Sequence, residues 1–334
     1  MEGQPFDLPE NHAAHGLPVE WWYVSGRLLP GSASHRIWFA VAFFKLRLGW
    51  PALLARIKST SNYLYGYQVH GSIYDEATAR FEYETRNAVY LPGRLQCRKD
   101  RLDIEVGGNR LEQLTSQRFR LRTIFRCLGL DAVMSTSSPP MFHGTGGVIP
   151  MGGLGHSNYY SLPLLSLEGE LVGNHANRRV QGQAWLDHQW GSWQHNAAYW
   201  TWFCIQLSDQ SRIMVYTFTN DCSTEHKTTI TAQRADGSCA RARTLEYEPF
   251  DQYKSRRSGV VYPTRHKLSF ETDEQEYHLM VTALNREQEI RSKYVDYWEG
   301  ACQVEGTVDG VGVSGTAFCE IIGRYLYGVA TSKA

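Results

Sequence analysis

Thirteen residues near the middle of the chain, Gln181 to Trp193 (QGQAWLDHQWGSW), place three tryptophans around one carboxylate and one imidazole. Read as a strand entering a turn at Gly191 and Ser192, the stretch alternates: Trp185 and Asp187 face one way, Leu186 and His188 the other. Apolar neighbours disfavour a charged carboxylate, so Asp187 is either held protonated or kept ionised by His188 or another donor. The first state is a proton donor and the second a base. A structural reading, an Asp hydrogen bonded to backbone groups at a domain junction, fits the same residues.

The pairing of acid and indole recurs. Glu20 adjoins Trp21 and Trp22, Glu299 adjoins Trp298, and Glu320 stands among apolar residues in AFCEIIG. Each alone is explained by an Arg or amide partner inside a barrel. Together they suggest a polar-tipped cavity with aromatic walls. A proton-donating carboxyl begins chemistry on an alkene, and aromatic faces stabilise the cation that results.

The elements that must position these groups read as strands. In HGLPVEWWYVSGRLL, from His15, Glu20 and Trp22 share one face and Trp21 and Tyr23 the other. HRIWFAVAFFKL, from His35, is apolar on both faces, so the two form a hairpin whose second strand lies between packed layers. Short strands with turn signals follow at close spacing as far as Leu128, the rhythm of an antiparallel meander curling into a sandwich or barrel. After the glycine-rich stretch Met141 to Gly155, a second aromatic hairpin (AYWTWFCIQL, a polar turn, then Arg212 to Thr219) repeats the first. The expected fold is all-β: two antiparallel barrels or sandwiches side by side, divided as residues 1–175 and 176–334. That division puts the Asp187 stretch at the seam between them. Gly49 to Ser59 (GWPALLARIKS) reads as a short amphipathic helix covering a barrel; peripheral contact with a membrane is its other use.

Composition narrows the function. The chain has 334 residues, with 34 Lys plus Arg against 34 Asp plus Glu, so no global field draws it to nucleic acid. Aromatics make up 13% of the residues, which favours pleated surfaces and pockets for a hydrophobic small molecule. Seven cysteines without a CxxC pair, and no Asn-x-Ser/Thr acceptor, argue against a secreted disulfide framework. With no apolar leader at the N-terminus, a cytoplasmic location is expected.

Other signals fail on context. GVGVSG at Gly310 matches GxGxxG but lies between two strands, so it reads as a hairpin turn. There is no Walker loop, HExxH or GxSxG. His12 with His15, or His188 with His195, lacks an acidic or sulfur partner at tight spacing, so no metal is expected, and no cofactor is required.

HGLPVEWWYVSGRL, SNYYSLPLLSLEGEL, QGQAWLDHQWGSW, WTWFCIQL and YWEGACQVEG, in this order from Pro18 to Arg324, resemble the carotenoid 1,2-hydratase and hydroxyneurosporene synthase family, the lipocalin-like AttH family. The resemblance implies two lipocalin-like barrels with a ligand cavity at or near their junction. It also implies acid-catalysed addition of water across a terminal isoprenoid double bond, or, as in related fungal proteins, a Diels–Alder reaction. The acid of the hydratase branch is best matched by Asp187. The last strand departs from the family's GYLELTGY pattern: TAFCEIIGR keeps Glu320 and Gly323 but carries Phe318, Ile322 and Arg324.

The reading is therefore a cofactor-independent enzyme acting on a lipophilic polyene or isoprenoid by acid-initiated hydration, isomerisation or cyclisation. Asp187 is the expected acid and His188 its tuning partner, with Glu20 or Glu320 directing a water or taking a proton. The expected substrate contacts are Trp22, Tyr23, Tyr159, Tyr160, Trp185, Trp190, Trp202 and Trp298. A pericyclase that only folds a polyene, and a non-catalytic carrier of hydrophobic ligands, are the alternatives.

Overall fold

The computed structural model describes residues 8, 10–31, 35–47, 65–89, 97–151, 155–172, 177–193, 198–220, 227–242, 244–292 and 296–323. The segment Gly49 to Ser59, expected as a covering helix, lies outside them. Within them the protein is all-β, and its one helical piece is the 3-10 turn Glu10–His12. No helix among the described residues is long and apolar enough to cross a membrane.

The first unit is built from β1 (Val19–Pro30), β2 (Ile37–Arg47), β3 (Tyr65–Asp75), β4 (Arg80–Val89), β5 (Asp103–Val106), β6 (Asn109–Thr115), β7 (Arg118–Ile124) and β8 (Gly129–Thr136). Two short pieces, β9 (Met141–Phe142) and β10 (Val148–Pro150), precede the long hairpin of β11 (Gly155–Leu171) and β12 (Arg178–Trp193). The main path of the curled antiparallel sheet runs β4-β3-β2-β1-β12-β11-β8-β7-β6-β5.

The second unit has β13 (Ala198–Leu207), β14 (Arg212–Asn220), β15 (Lys227–Gln233), β16 (Cys239–Arg241), β17 (Thr244–Lys254), β18 (Val261–Glu271), β19 (Glu276–Ala283), β20 (Glu289–Arg291), β21 (Asp296–Val308) and β22 (Val311–Ile322). Its path is β16-β15-β14-β13-β22-β21-β19-β18-β17. The two sheets share one plan: the first strand of each unit sits between the second strand and the last. The aromatic hairpins that repeat in the sequence, β1-β2 and β13-β14, hold equivalent places in it. The β21-β22 connection is a two-residue turn at Asp309 and Gly310, both at positive φ, as the type I′ geometry of tight hairpins requires. The GxGxxG match is thus a hairpin.

The unit boundary differs from the expected one. By its internal contacts the first compact unit extends to Trp193 and leaves Met141–Gly144 to the second, where a division at 1–175 and 176–334 was expected. The reason is pairing: β12 is bonded along its length to β1 on one side and β11 on the other, which makes it a central strand of the first sheet.

Alternation sorts the middle of that sheet into two buried faces. Val24, Leu28, Val41, Phe43 and Leu186, all fully buried, share a face with Glu20, Trp22 and His188. His12, beside this face, meets Phe119 of β7 edge-on at 5.2 Å, which identifies it as the interior of the curl. Tyr23, Trp185, Asp187, Tyr159 and Ser161 lie on the opposite face and are also buried.

Candidate functional site

Asp187 stands in the middle of β12 with its Cα opposite Tyr23 of β1 and Ser161 of β11. Among the described residues, the two-residue period of a strand brings three donors to its carboxyl: the cross-strand partner, the diagonal neighbour and the residue two before it. The Ser161 hydroxyl donates to Oδ1, Trp185 Nε1 donates to the same oxygen at 2.6 Å, and the Tyr159 hydroxyl donates to Oδ2 at 3.0 Å. Asp187 is 3% exposed and all three donors are buried. Burial disfavours the anion, while three hydrogen bonds aimed at it favour it.

Across the sheet lies a second carboxyl network. Glu20 is fully buried and pairs in register with Lys45 of β2 and Trp190 of β12. Lys45 Nζ lies 2.8 Å from Oε2 and also donates to the His15 carbonyl. His15 Nδ1 is 2.8 Å and His188 Nε2 3.1 Å from Oε1, and the His15 backbone N–H donates to both oxygens at 3.0 Å. Burial pushes the Glu20 carboxyl up, but the hydrogen bonds of His15 and His188 and the Lys45 ammonium outweigh it and hold it at about 2.

Burial takes His188 down to about 4, against the opposing hydrogen bond to Glu20, so its imidazole is neutral at neutral pH. With Nε2–H donating to Glu20, the network assigns Nδ1 as acceptor of the Tyr160 hydroxyl at 3.3 Å, and that hydroxyl also meets His12 Nδ1. The rings are held by stacking: Trp22 on His188 at 4.7 Å and His15 on Trp190 at 4.2 Å, nearly parallel.

His15, Glu20 and His188 each offer a ligand atom within 4.8 Å of the others, a two-imidazole, one-carboxylate set of a kind that transition metals take. Lys45 decides against a cation at this cluster: its ammonium already neutralises Oε2 at hydrogen-bond distance, and a metal would add a second positive charge beside it. As built, the set is a charge-compensated carboxylate.

In the second unit, Trp202 and Glu320 lie on the face away from the apolar interior, opposite one another in register. Trp298 belongs to the interior, fully buried, its Nε1 donating to the Arg286 carbonyl at 2.9 Å.

Three expectations therefore need correction. His188 does not tune Asp187: consecutive residues of a strand point to opposite faces, and the ring nitrogens of His188 face Glu20 and Tyr160. Trp22, Trp190 and Tyr160 share the Glu20 face, while Trp185, Tyr159 and Tyr23 share that of Asp187, so these residues do not line one wall. Trp298, expected beside the other substrate contacts, lies instead in the apolar interior of the second unit, on the face opposite Trp202 and Glu320. Sequence reasoning missed Ser161, Lys45 and the carboxylate role of His15. Lys45 carried a readable signal, as the one charged side chain within the apolar run IWFAVAFFKL. Ser161 carried none, because only the β11-β12 register brings it to Asp187.

Two curled all-β sheets built on one plan, with buried carboxyls on their central strands, define a lipocalin-like two-unit protein. The chain belongs to the AttH-like family, whose model matches residues 1–324. Kievitone hydratase of Fusarium solani subsp. phaseoli is 23% identical over 234 residues, 66% of this chain and 65% of that protein, so the match spans just under two thirds of the relative's length. Among solved structures, a protein described as AttH from Nitrosomonas europaea superposes with a TM-score of 0.81 at 24% identity, covering 97% of this chain and 98% of that one. Kievitone hydratase from Nectria haematococca gives 0.76 at 17% identity, with 95% and 92% covered. The structure of CghA with Sch210972 gives 0.59 at 9% identity, with 92% and 88% covered. At these identities the structural likenesses establish the fold.

Proposed function

We propose that the chain is a cofactor-independent enzyme of hydratase type that acts on a hydrophobic polyene or isoprenoid substrate, with Asp187 as proton donor. The observation that carries this reading is the buried Asp187 carboxyl with three side-chain donors, set among Trp185, Tyr159 and Tyr23. Membership of the AttH-like family and the kinship with kievitone hydratase support the same class of reaction.

The step runs as follows. The π pair of a substrate alkene takes the proton of the Asp187 carboxyl, forming a C–H bond and leaving a cation on the other carbon. The N–H of Trp185 and the hydroxyls of Ser161 and Tyr159 stabilise the carboxylate so produced, and aromatic faces stabilise the cation. Water then bonds to the cation and its surplus proton returns to Asp187, which completes a hydration. Loss of a proton from a neighbouring carbon gives an isomer instead, and attack by a second alkene gives a ring. Glu20, His188 and Lys45 act from the opposite face as positioning residues that hold β1 between β2 and β12.

The alternatives are a pericyclase, in which the aromatic surface only folds the polyene, and a carrier. Turnover of an acyclic terpenoid polyene in deuterium oxide separates the three. Acid initiation places one deuterium on the former alkene carbon, and Asp187→Asn abolishes that product while the folded variant still binds the polyene. Undiminished turnover in Asp187→Asn removes the proton-donor role. A cyclised product without deuterium points to the pericyclase, and binding without any product to the carrier.

A further inference from the structure

Strand β14 begins with an arginine, directly after the polar turn that follows β13. In register, Arg212 stands between Gln206 of β13 and Gln233 of β15; Thr316 of β22 and then Gln303 of β21 continue the row on one side, and Cys239 of β16 ends it on the other. Alternation puts the row on the face away from the apolar interior, to which the next residue, Ile213, belongs. Arg212 is its one charged side chain. The row meets solvent: Gln303 and Cys239 at its ends are exposed, and Gln206 and Thr316 are half-buried.

Two Lys or Arg side chains are buried among the described residues, and they differ in one respect. Lys45 has the Glu20 carboxylate at 2.8 Å. Arg212, 8% exposed, has no carboxylate: among the described residues its guanidinium makes a single hydrogen bond, from Nη1 to the Gln210 carbonyl at 3.0 Å, and Nε has no partner. Asp209, in the preceding turn, is taken by Ser211, whose N–H and hydroxyl donate to its carboxyl at 2.8 and 2.9 Å. Burial lowers the Arg212 guanidinium from its ordinary value, with no neighbouring charge of either sign to offset or add to it. A cation taken out of water without a counterion is costly, and nothing in the packing compensates this one.

We infer that Arg212 is an anion-binding site on the second sheet, for the carboxylate group of a small organic acid. The class follows from the donors. Nη1 is held by Gln210, which leaves the edge formed by Nε and Nη2; its two parallel N–H groups match the two oxygens of a carboxylate. One uncompensated positive charge suits a monoanion, and no second cation stands by for a phosphate dianion. Gln206 and Gln233 border the guanidinium from the strands on either side with neutral polar groups, so no acid competes for it. A bound carboxylate stands to Arg212 as Glu20 stands to Lys45. No residue of the Asp187 network takes part, and binding requires no turnover.

The test titrates the full chain with sodium acetate in place of chloride at constant ionic strength, and follows the arginine Nε–H groups in proton–nitrogen correlation spectra. One Nε–H signal of the parent is expected to move downfield and saturate at millimolar acetate, and to be missing from Arg212→Gln. The melting temperature of the parent should rise by ~4 °C when acetate is ~100-fold above its dissociation constant, and that of Arg212→Gln should not respond. Without acetate, Arg212→Gln should melt at or above the parent, because it removes a buried charge that has no partner; a role in packing alone predicts the reverse. Arg212→Lys, a point charge in place of a fork, should bind acetate ~10-fold more weakly or worse. If Arg212→Gln does not fold, the parent and Arg212→Lys decide between them. The inference is overturned by a parent without a saturable signal, by a saturable signal that persists in Arg212→Gln, by inorganic phosphate binding more tightly than acetate, or by acetate-free Arg212→Gln melting below the parent.

Discussion

Asp187 and His188 are adjacent in the chain and belong to separate networks: the carboxyl of one takes hydrogen bonds from Tyr159, Ser161 and Trp185, while the imidazole of the other spans Glu20 and Tyr160 on the opposite face. A strand that is buried on both sides can carry two unrelated polar sites one residue apart. Each is isolated from the other by the backbone itself.

Substitutions at the two positions should therefore separate. Asp187→Asn is expected to abolish turnover with its melting temperature nearly kept, since the amide still accepts from Trp185 and Ser161. His188→Gln is expected to cost about 1–3 kcal/mol of stability, from a buried carboxylate and a buried phenol each losing a partner. Urea unfolding alongside turnover measures both. Equal loss of stability in the two variants would contradict the separation.

The donors to Asp187 should act on rate rather than fold. Tyr159→Phe and Ser161→Ala each remove one hydrogen bond that stabilises the carboxylate left by proton transfer, worth about 1.5–3 kcal/mol for a charged acceptor. The expected result is a fall of roughly 10- to 100-fold in kcat with little change in KM. A change confined to KM would assign these hydroxyls to substrate binding instead.

Lys45 is the counterion that makes the buried Glu20 tolerable. Lys45→Met should destabilise the protein by about 3 kcal/mol or more, because it leaves a buried carboxylate with its histidine donors alone. Glu20→Gln in the same chain should recover a large part of that loss, since the charge that needed Lys45 is gone. The double-mutant cycle reads the coupling directly; additive losses would mean that the pair contributes only packing.

Acid should loosen the fold well above the carboxylate range. His12, His70, His143, His188 and His266 are buried, and burial holds each at about 3 to 4, below an unfolded value of 6.5. Between those limits the unfolded chain binds more protons, so each histidine contributes stability that is present above about pH 6.5 and lost as pH falls toward 4. The slope is up to about 1.4 kcal/mol per pH unit per group. Glu320, raised by burial, has the opposite sign: its contribution is present below about 4.5 and lost as pH rises through 7. Glu20, held at about 2, adds a further loss below 4.5. The histidines outnumber Glu320, so the melting temperature should fall steadily from pH 7 to pH 5. A flat profile over that range would show these imidazoles to be accessible to protons in the native state.

The strand content, the repeated hairpin and the opposed faces of Trp185/Asp187 and Leu186/His188 were legible in the sequence, because a strand's side-chain period is local and survives without knowledge of its neighbours. Motif order reached further, to the family and its two-sheet fold. Which strand lies beside which was not local information. The register of β12 against β1 and β11 bound β12 into the first sheet and brought Ser161 and Tyr159 to Asp187, and that of β1 against β2 set Lys45 beside Glu20. The meeting of Glu299 with Glu320 arose in the same way, from the β21-β22 hairpin. Alternation along a chain assigns a side chain to a face, but pairing between chain segments distant in sequence decides what that face contains, and the chemistry of a carboxyl depends on the second.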